Sequence, residues 1–123
     1  MRPRGSWQSW RVSDSETQWL TVPEIVDLLK IPQGKVRRLI EDRVLLARRV
    51  DGVLRVPAAF FSGNEPLHDL RGTIMLLADS GYTDDEAMNW LLNEEESLGT
   101  TPVEALRAGR KAEVRRVAQA LAF

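Results

Sequence analysis

An Asp51-Gly52 pair stands between two short apolar runs in the stretch RRVDGVLRV, residues 48–56. Such a pair predicts a two-residue β-hairpin turn, because both turn positions need a positive φ. The turn sets three facing pairs across the hairpin: Val50 with Val53, Arg49 with Leu54, and Arg48 with Arg55. Two like charges that face each other on a strand pair are destabilising, so the last pair needs a physical explanation.

A first short helix is predicted before the hairpin. Thr21-Val-Pro-Glu24 is a capping box, in which the Thr hydroxyl accepts from the Glu24 amide and the carboxylate reaches back to the cap. An apolar stripe at i, i+3 and i+4 follows, made of Ile25, Leu28 and Leu29. Pro32 ends this helix, because it disfavours helical backbone at Ile31 and has no N–H to donate.

A second helix is predicted from about residue 33 to residue 42. Its apolar positions are Val36, Leu39 and Ile40, and its polar positions include Gln33, Lys35, Arg37, Arg38 and Glu41. Two short helices, a tight turn and a hairpin follow each other in the order of a winged helix-turn-helix. In such modules the second helix enters the DNA major groove.

The second half of the chain is predicted to be helical. Apolar positions with helical spacing run from Leu70 to Gly81, and two further capping boxes begin at Thr83 and Thr101. Phe60 and Phe61 are expected to be buried and to anchor the hairpin to these helices. The acidic run 94–96 is expected to be a solvated loop, while Met75, Met88 and Trp90 are expected in the core.

Charge is divided unevenly along the 123 residues, although the net charge is only −1. Residues 30–57 hold eight basic residues against three acidic ones, a net charge of +5. Residues 67–123 hold six basic residues against ten acidic ones, a net charge of −4. A basic module beside an acidic one indicates a polyanionic partner more strongly than the overall charge does.

Several classes of protein are disfavoured by the composition. There are no cysteines and one histidine, and the chain has no Gly-rich phosphate loop and no carboxylate dyad, so we expect no enzyme, metal site or cofactor. No apolar run approaches the ~20 residues that span a bilayer, and the N-terminus lacks the apolar region of a secretory signal. We expect a cytoplasmic protein that has no contact with a membrane.

The expected fold class is mainly α with a small β-hairpin: a winged helix-turn-helix followed by a C-terminal helical domain. The expected divisions are a flexible tail at 1–18, the winged helix-turn-helix at 19–66 and the helical domain at 67–123. The stretch LTVPEIVDLLKIPQGKVRRLIEDRVLLARRVDGVLRVP resembles the MerR-like and excisionase-like winged helices. That resemblance implies DNA binding and transcription regulation.

A second resemblance covers roughly residues 19–123. Together with the winged helix, the stretches GYTDDEAMNWLL and TPVEALRAGRKAEVRRVAQALAF resemble a family of small actinobacterial DNA-binding proteins. That family includes a mycobacterial substrate of a Ser/Thr protein kinase, so the resemblance implies such a kinase as a partner. Acceptors available in the tail are Thr17, Ser13 and Ser15.

Double-stranded DNA is therefore the expected partner, read by the helix at 33–42 and contacted at its phosphates by the wing at 45–56. The candidate DNA-binding residues are Gln33, Lys35, Arg37, Arg38, Arg48, Arg49 and Arg55. The wing explains the opposed arginines: on an exposed face, Arg48 and Arg55 could share a phosphate, the alternative being two solvated side chains that splay apart.

Two further points stay open at this stage. The chain could instead be a protein-interaction module, an antitoxin-like or kinase-regulated adaptor that acts through its C-terminal helical domain. Many helix-turn-helix proteins dimerise to read two half-sites, so a homodimer is one arrangement that the sequence permits.

Overall fold

The computed structural model describes residues 17–121, which form six α-helices and two small antiparallel sheets. We define the N-terminal half as residues 17–66. Its elements are β1 (Trp19–Thr21), α1 (Val22–Leu29), α2 (Gln33–Glu41), β2 (Arg48–Val50), β3 (Val53–Pro57), a 3₁₀ turn (Ala58–Phe60), β4 (Phe61–Ser62) and β5 (Glu65–Pro66).

The C-terminal half, which we define as residues 67–121, is made of four helices. These are α3 (Leu70–Asp79), α4 (Asp84–Leu92), α5 (Pro102–Arg107) and α6 (Lys111–Ala120). None of the helices described between residues 17 and 121 has the length and apolar character that crossing a bilayer requires. The expected fold class, a winged helix-turn-helix followed by helices, is confirmed.

The hairpin forms in the predicted register. Arg48 faces Arg55 across β2 and β3, and the turn residues Asp51 and Gly52 have φ values of 54° and 80°. These positive values are what a two-residue turn between right-twisted strands requires.

A third strand, β1, was not predicted. It pairs antiparallel with β3, with Trp19 opposite Pro57 and Thr21 opposite Arg55, so the strand order is β1-β3-β2. Ala58 extends the pairing by donating its N–H to the Gln18 carbonyl at 2.7 Å. The wing is therefore a three-stranded sheet rather than an isolated hairpin.

Local capping fixes the helix starts where the sequence predicts them. Both bonds of the capping box form at Thr21 and at Thr83. At Thr101 only one of them forms, since the hydroxyl accepts from the Glu104 N–H while the Glu104 carboxylate lies near Arg107. α2 begins at Gln33 after Pro32, which supplies no side-chain cap.

One hydrophobic core joins the two halves. Phe60 and Phe61 are buried, as predicted, and they belong to the same cluster as Ile25 of α1 and Leu77 of α3. Arg107 of α5 donates hydrogen bonds to the backbone carbonyls of Ala59 and Phe61. The hairpin and the C-terminal helices are therefore packed together rather than tethered.

Two expectations for the C-terminal half are wrong in part. Glu95 is not a solvated loop residue: it pairs with Thr100 through the backbone, and its carboxylate accepts from the Trp90 indole N–H at 3.3 Å. Met88 is buried, whereas Met75 and Trp90 are only half-buried. Three consecutive carboxylates gave no indication in the sequence that Glu95, the middle one, has a structural role.

Candidate nucleic-acid interface

Helix α2 presents a polar, basic face to solvent. Val36 is fully buried, and Leu39 and Ile40 are half-buried, so this stripe holds the helix on the core. The exposed residues are Gln33, Gly34, Lys35, Arg37, Arg38 and Glu41. Within residues 17–121 the three basic side chains of this face form no ion pair with a carboxylate.

A shallow groove of about 210 Å³ lies between α2 and the wing. It brings Gln33 and Arg37 of α2 together with Arg49 of β2, and Val53 at the wing tip also lines it. Arg49 is exposed and donates a hydrogen bond to the Gly52 carbonyl at 3.3 Å. Three of the predicted DNA-binding residues therefore share one open groove.

Arg48 does not lie on an exposed face, so that prediction is wrong. Its Nε donates to Asp85 Oδ1 at 2.8 Å, and its Nη2 donates to Asn89 Oδ1 at 2.7 Å. Its guanidinium also lies 5.9 Å from the centre of the Trp19 ring, a cation–π distance. The side chain is only 23% exposed, because Asp85 and Asn89 of α4 and the Trp19 ring lie against it.

Arg55 is half-buried as well, and its Nε is buried with no hydrogen-bond partner within residues 17–121. The Thr21 backbone N–H donates to Glu24 and lowers the pKa of the Glu24 carboxyl, and the Arg55 charge lowers this pKa further. Arg55 is thus close enough to Glu24 to feel its charge. In the free protein, the two opposed arginines therefore lie near different carboxylates, Asp85 for Arg48 and Glu24 for Arg55.

The sequence analysis missed the acidic partner of the wing. Arg43, which follows α2, pairs with Asp84 at 3.2 Å, beside the Arg48–Asp85 pair. Asp84 and Asp85 follow Thr83 in a predicted capping box, and that pattern assigns them no role beyond the start of the helix. The signal available in the sequence was the opposite charge of the basic segment at 30–57 and the acidic start of α4. Local patterns could not pair residues that lie so far apart in the chain.

The predicted phosphorylation positions are only partly within the structure. Ser13 and Ser15 lie outside the described residues. Thr17 is half-buried and lines a cleft of about 660 Å³ between the two halves, together with Leu92 and Arg107. It does not line the groove that contains Arg37 and Arg49.

The architecture defines a class of protein. Two helices joined by three residues, an exposed basic second helix and a three-stranded wing make a winged helix-turn-helix protein. Residues 10–61 match the family described as "DNA-binding protein Rv2175c, wHTH domain", and residues 67–122 match "Rv2175c C-terminal domain of unknown function". The chain belongs to the Rv2175c family.

Two comparisons support this assignment. The chain is 34% identical over 126 residues to "DNA-binding protein Rv2175c" of Mycobacterium tuberculosis (strain ATCC 25618 / H37Rv), covering 91% of this chain and 86% of that protein. The fold is similar to the NMR structure of Rv2175c, with a TM-score of 0.80 and 31% identity, over 88% of this chain and 83% of that one.

Proposed function

We propose that this member of the Rv2175c family binds double-stranded DNA and acts as a transcriptional regulator. The observation that carries the proposal is the groove in which Gln33 and Arg37 of α2 meet Arg49 of the wing. Exposed cations without an acidic partner suit a polyanion, and an exposed helix face of this kind suits the major groove. The name of the mycobacterial relative supports the same partner.

Different residues of this surface have different proposed roles. Lys35 lies in the first turn of α2 and Arg37 lies at its middle. Both are proposed to contact base edges, where an arginine can pair with guanine through two hydrogen bonds. Gln33, at the start of the same helix, can pair with adenine in the same manner. Arg38 and Arg49 are proposed to contact phosphates, which orient the protein without selecting a sequence.

Arg48 is removed from the proposed DNA contacts, because its Nε and Nη2 groups donate to Asp85 and Asn89 and its side chain is only 23% exposed. Arg55 is kept only as a source of positive charge near the wing. The proposal divides the chain into a tail at 1–18, a DNA-binding module at 19–66 and a helical domain at 67–123. A homodimer that reads two half-sites is compatible with it.

Selection of bound fragments from a pool of random duplexes tests the proposal. The wild-type chain should enrich a defined motif, and the spacing of any repeated half-sites would show whether it acts as a dimer. Arg37→Ala should relax the preference at one position by about 1–3 kcal/mol, whereas Arg116→Ala, which removes the same charge from α6, should leave the motif unchanged. If the wild-type chain enriches no motif from the pool of duplexes, the proposal that it recognises a specific DNA sequence is contradicted.

Regulation by a Ser/Thr protein kinase forms part of the same proposal. A phosphate adds about −1.5 to −2 charges, so its addition at Ser13, Ser15 or Thr17 is expected to weaken binding to a polyanion. DNA titrations of the phosphorylated protein at low salt measure the effect, and an unchanged affinity would contradict it. The adaptor alternative has less support, because Asp84 and Asp85 of the acidic half are engaged within the molecule.

A further inference from the structure

The basic residues of the C-terminal half fall into two groups. Three of them form ion pairs within the half: Arg107 with Glu104, Arg110 with Glu113, and Lys111 with Asp69. Arg116 lies near Glu113 as well: the Arg110 hydrogen bond lowers the pKa of that carboxyl most, and the Arg116 charge adds to the lowering. Among residues 67–121, Arg71 and Arg115 remain without an acidic partner.

Arg71 lies beside the C-terminal end of α2, the helix that is proposed to face DNA. It belongs to the first turn of α3, is exposed, and donates from Nε to the Asp42 carbonyl at 3.2 Å. Asp42 caps α2, and its N–H donates to the Arg38 carbonyl at 2.9 Å. The Arg71 guanidinium is therefore attached to the C-terminal end of α2, one turn beyond Arg38.

Arg115 places a second cation without an acidic partner against α3. A Cβ atom added at Gly72 would lie 3.2 Å from Arg115 Nη2, a separation tighter than most carbon contacts allow. Arg115 is exposed and lies on α6, which packs against α3. Gly72, the residue after Arg71 in α3, thus leaves the space in which the Arg115 guanidinium lies.

We propose that Arg71 and Arg115 bind DNA phosphates beyond the end of α2, so that the C-terminal domain forms part of the DNA interface. We name this pair the Arg71–Arg115 flank. The inference rests on the proposed function and assigns a role to a domain whose function is otherwise unknown. Guanidinium groups suit phosphodiesters because their planar donors can bind two phosphate oxygens at once.

A purely structural role is the alternative for both residues. Arg71 could serve only to cap α2, where a cation favours the negative end of the helix dipole, and Arg115 could serve only to cover α3. Structural roles would lower stability on substitution but would leave the number of released counterions unchanged. The salt dependence of DNA binding separates the two explanations.

The experiment uses the full chain and a fixed 40-base-pair duplex of random sequence, titrated between 50 and 200 mM salt. Arg115→Gln and Arg71→Gln should each make the negative slope of log K against log salt less steep by about 0.9. The fold-loss of affinity between 50 and 200 mM salt should therefore be about 3.5-fold smaller in each variant than in the wild type. Arg71→Lys should keep the slope, because lysine retains the charge while losing the bond to Asp42. Arg116→Gln is the control of equal charge and should change the slope far less.

Arg115 decides the matter where Arg71→Gln is too unstable to measure, since the Arg115 side chain is exposed. A slope for Arg115→Gln equal to that of Arg116→Gln would overturn the inference. Lys35→Gln and Arg37→Gln, measured in parallel, separate this outcome from failure of the proposed function. Reduced binding in these two variants with an unchanged slope in Arg115→Gln would retain the α2 interface and reject the flank.

Discussion

Arg48 Nε lies 2.8 Å from Asp85 Oδ1, and this bond joins the wing to the C-terminal helices across 37 residues of sequence. It accounts for the like charges that face each other in the hairpin. Arg48 and Arg55 are opposite each other, but Asp85 neutralises the first and Glu24 lies near the second. The cost of the opposed pair, a few tenths of a kcal/mol up to ~1 kcal/mol, is offset by the C-terminal half and by α1.

The Arg48–Asp85 pair is expected to stabilise the protein measurably. Arg48→Met should lower the free energy of unfolding by about 1–2 kcal/mol, because the hydrogen bonds to α4 are lost. In a double-mutant cycle with Asp85→Ala, the coupling energy should be about 0.5–1 kcal/mol. The cycle removes the separate effect of Asp85 on the helix dipole, and urea denaturation of the four proteins measures it.

The neighbouring Arg43–Asp84 pair provides the matched comparison. The Arg43 side chain is 44% exposed, against 23% for Arg48, while Asp84 and Asp85 are 57% and 70% exposed. The Arg43–Asp84 contact is also longer, at 3.2 Å against 2.8 Å. Because its cation is better solvated and its contact is longer, we expect a smaller coupling, at the lower end of the range for surface pairs of about 0.2–1 kcal/mol. Equal coupling energies would contradict the expected difference between the two pairs, and a zero coupling for Arg48–Asp85 would show that this pair does not stabilise the wing.

The stability contributed by Glu24 is expected to depend on pH. Its Oε1 accepts from the Thr21 N–H at 2.8 Å, and this bond lowers the pKa of the folded state below the usual value of 4.5. A lowered folded pKa gives a contribution that is complete above the unfolded pKa and is lost as the pH falls through the folded pKa. The urea concentration at the unfolding midpoint of the wild type should therefore decrease as the pH falls below about 4.5.

Glu24→Gln isolates this contribution. Glutamine can complete a capping box, so the variant keeps the local hydrogen bond but has no proton to gain. Its midpoint should be lower than that of the wild type at pH 7, and the difference should shrink as the pH approaches 3. Glu41→Gln, an exposed variant with the same change in charge, corrects for net charge. A difference that does not change with pH would rule out this explanation.

Local patterns predicted the parts of the fold that are determined by near neighbours. The capping box at Thr21 and the turn at Gly52 involve residues at most three positions apart, so their geometry could be inferred from the sequence. The strand β1 could not be inferred in this way, because Trp19 gains its partner from Pro57. Arg48 was assigned to the wrong environment for the same reason, since Asp85 is 37 residues away.

Gly34 is not required by the fold of α2. It lies in helical backbone with no positive φ, and a Cβ added there would meet no atom within 4 Å. Gly34→Ala should therefore raise the free energy of unfolding by about 0.4–1 kcal/mol, because the unfolded chain loses conformational freedom. Gly52→Ala is the opposite control: its φ of 80° should make the same substitution destabilising. A loss of stability in Gly34→Ala would contradict the geometry of α2.

Arg49 and Arg48 are neighbours in β2 that we expect to act differently on DNA. Arg49 is exposed in the groove beside Arg37, whereas Arg48 is turned to Asp85. Arg49→Gln should lower the slope of log K against log salt by about 0.9 with little loss of stability. Arg48→Gln, with the same change in charge, should lower stability and keep the slope. Salt-series titrations on one fixed duplex, with urea melts of both variants, make the comparison. A reduced slope in Arg48→Gln alone would mean that DNA displaces Asp85 from Arg48, and that the opposite face of the wing binds the phosphates.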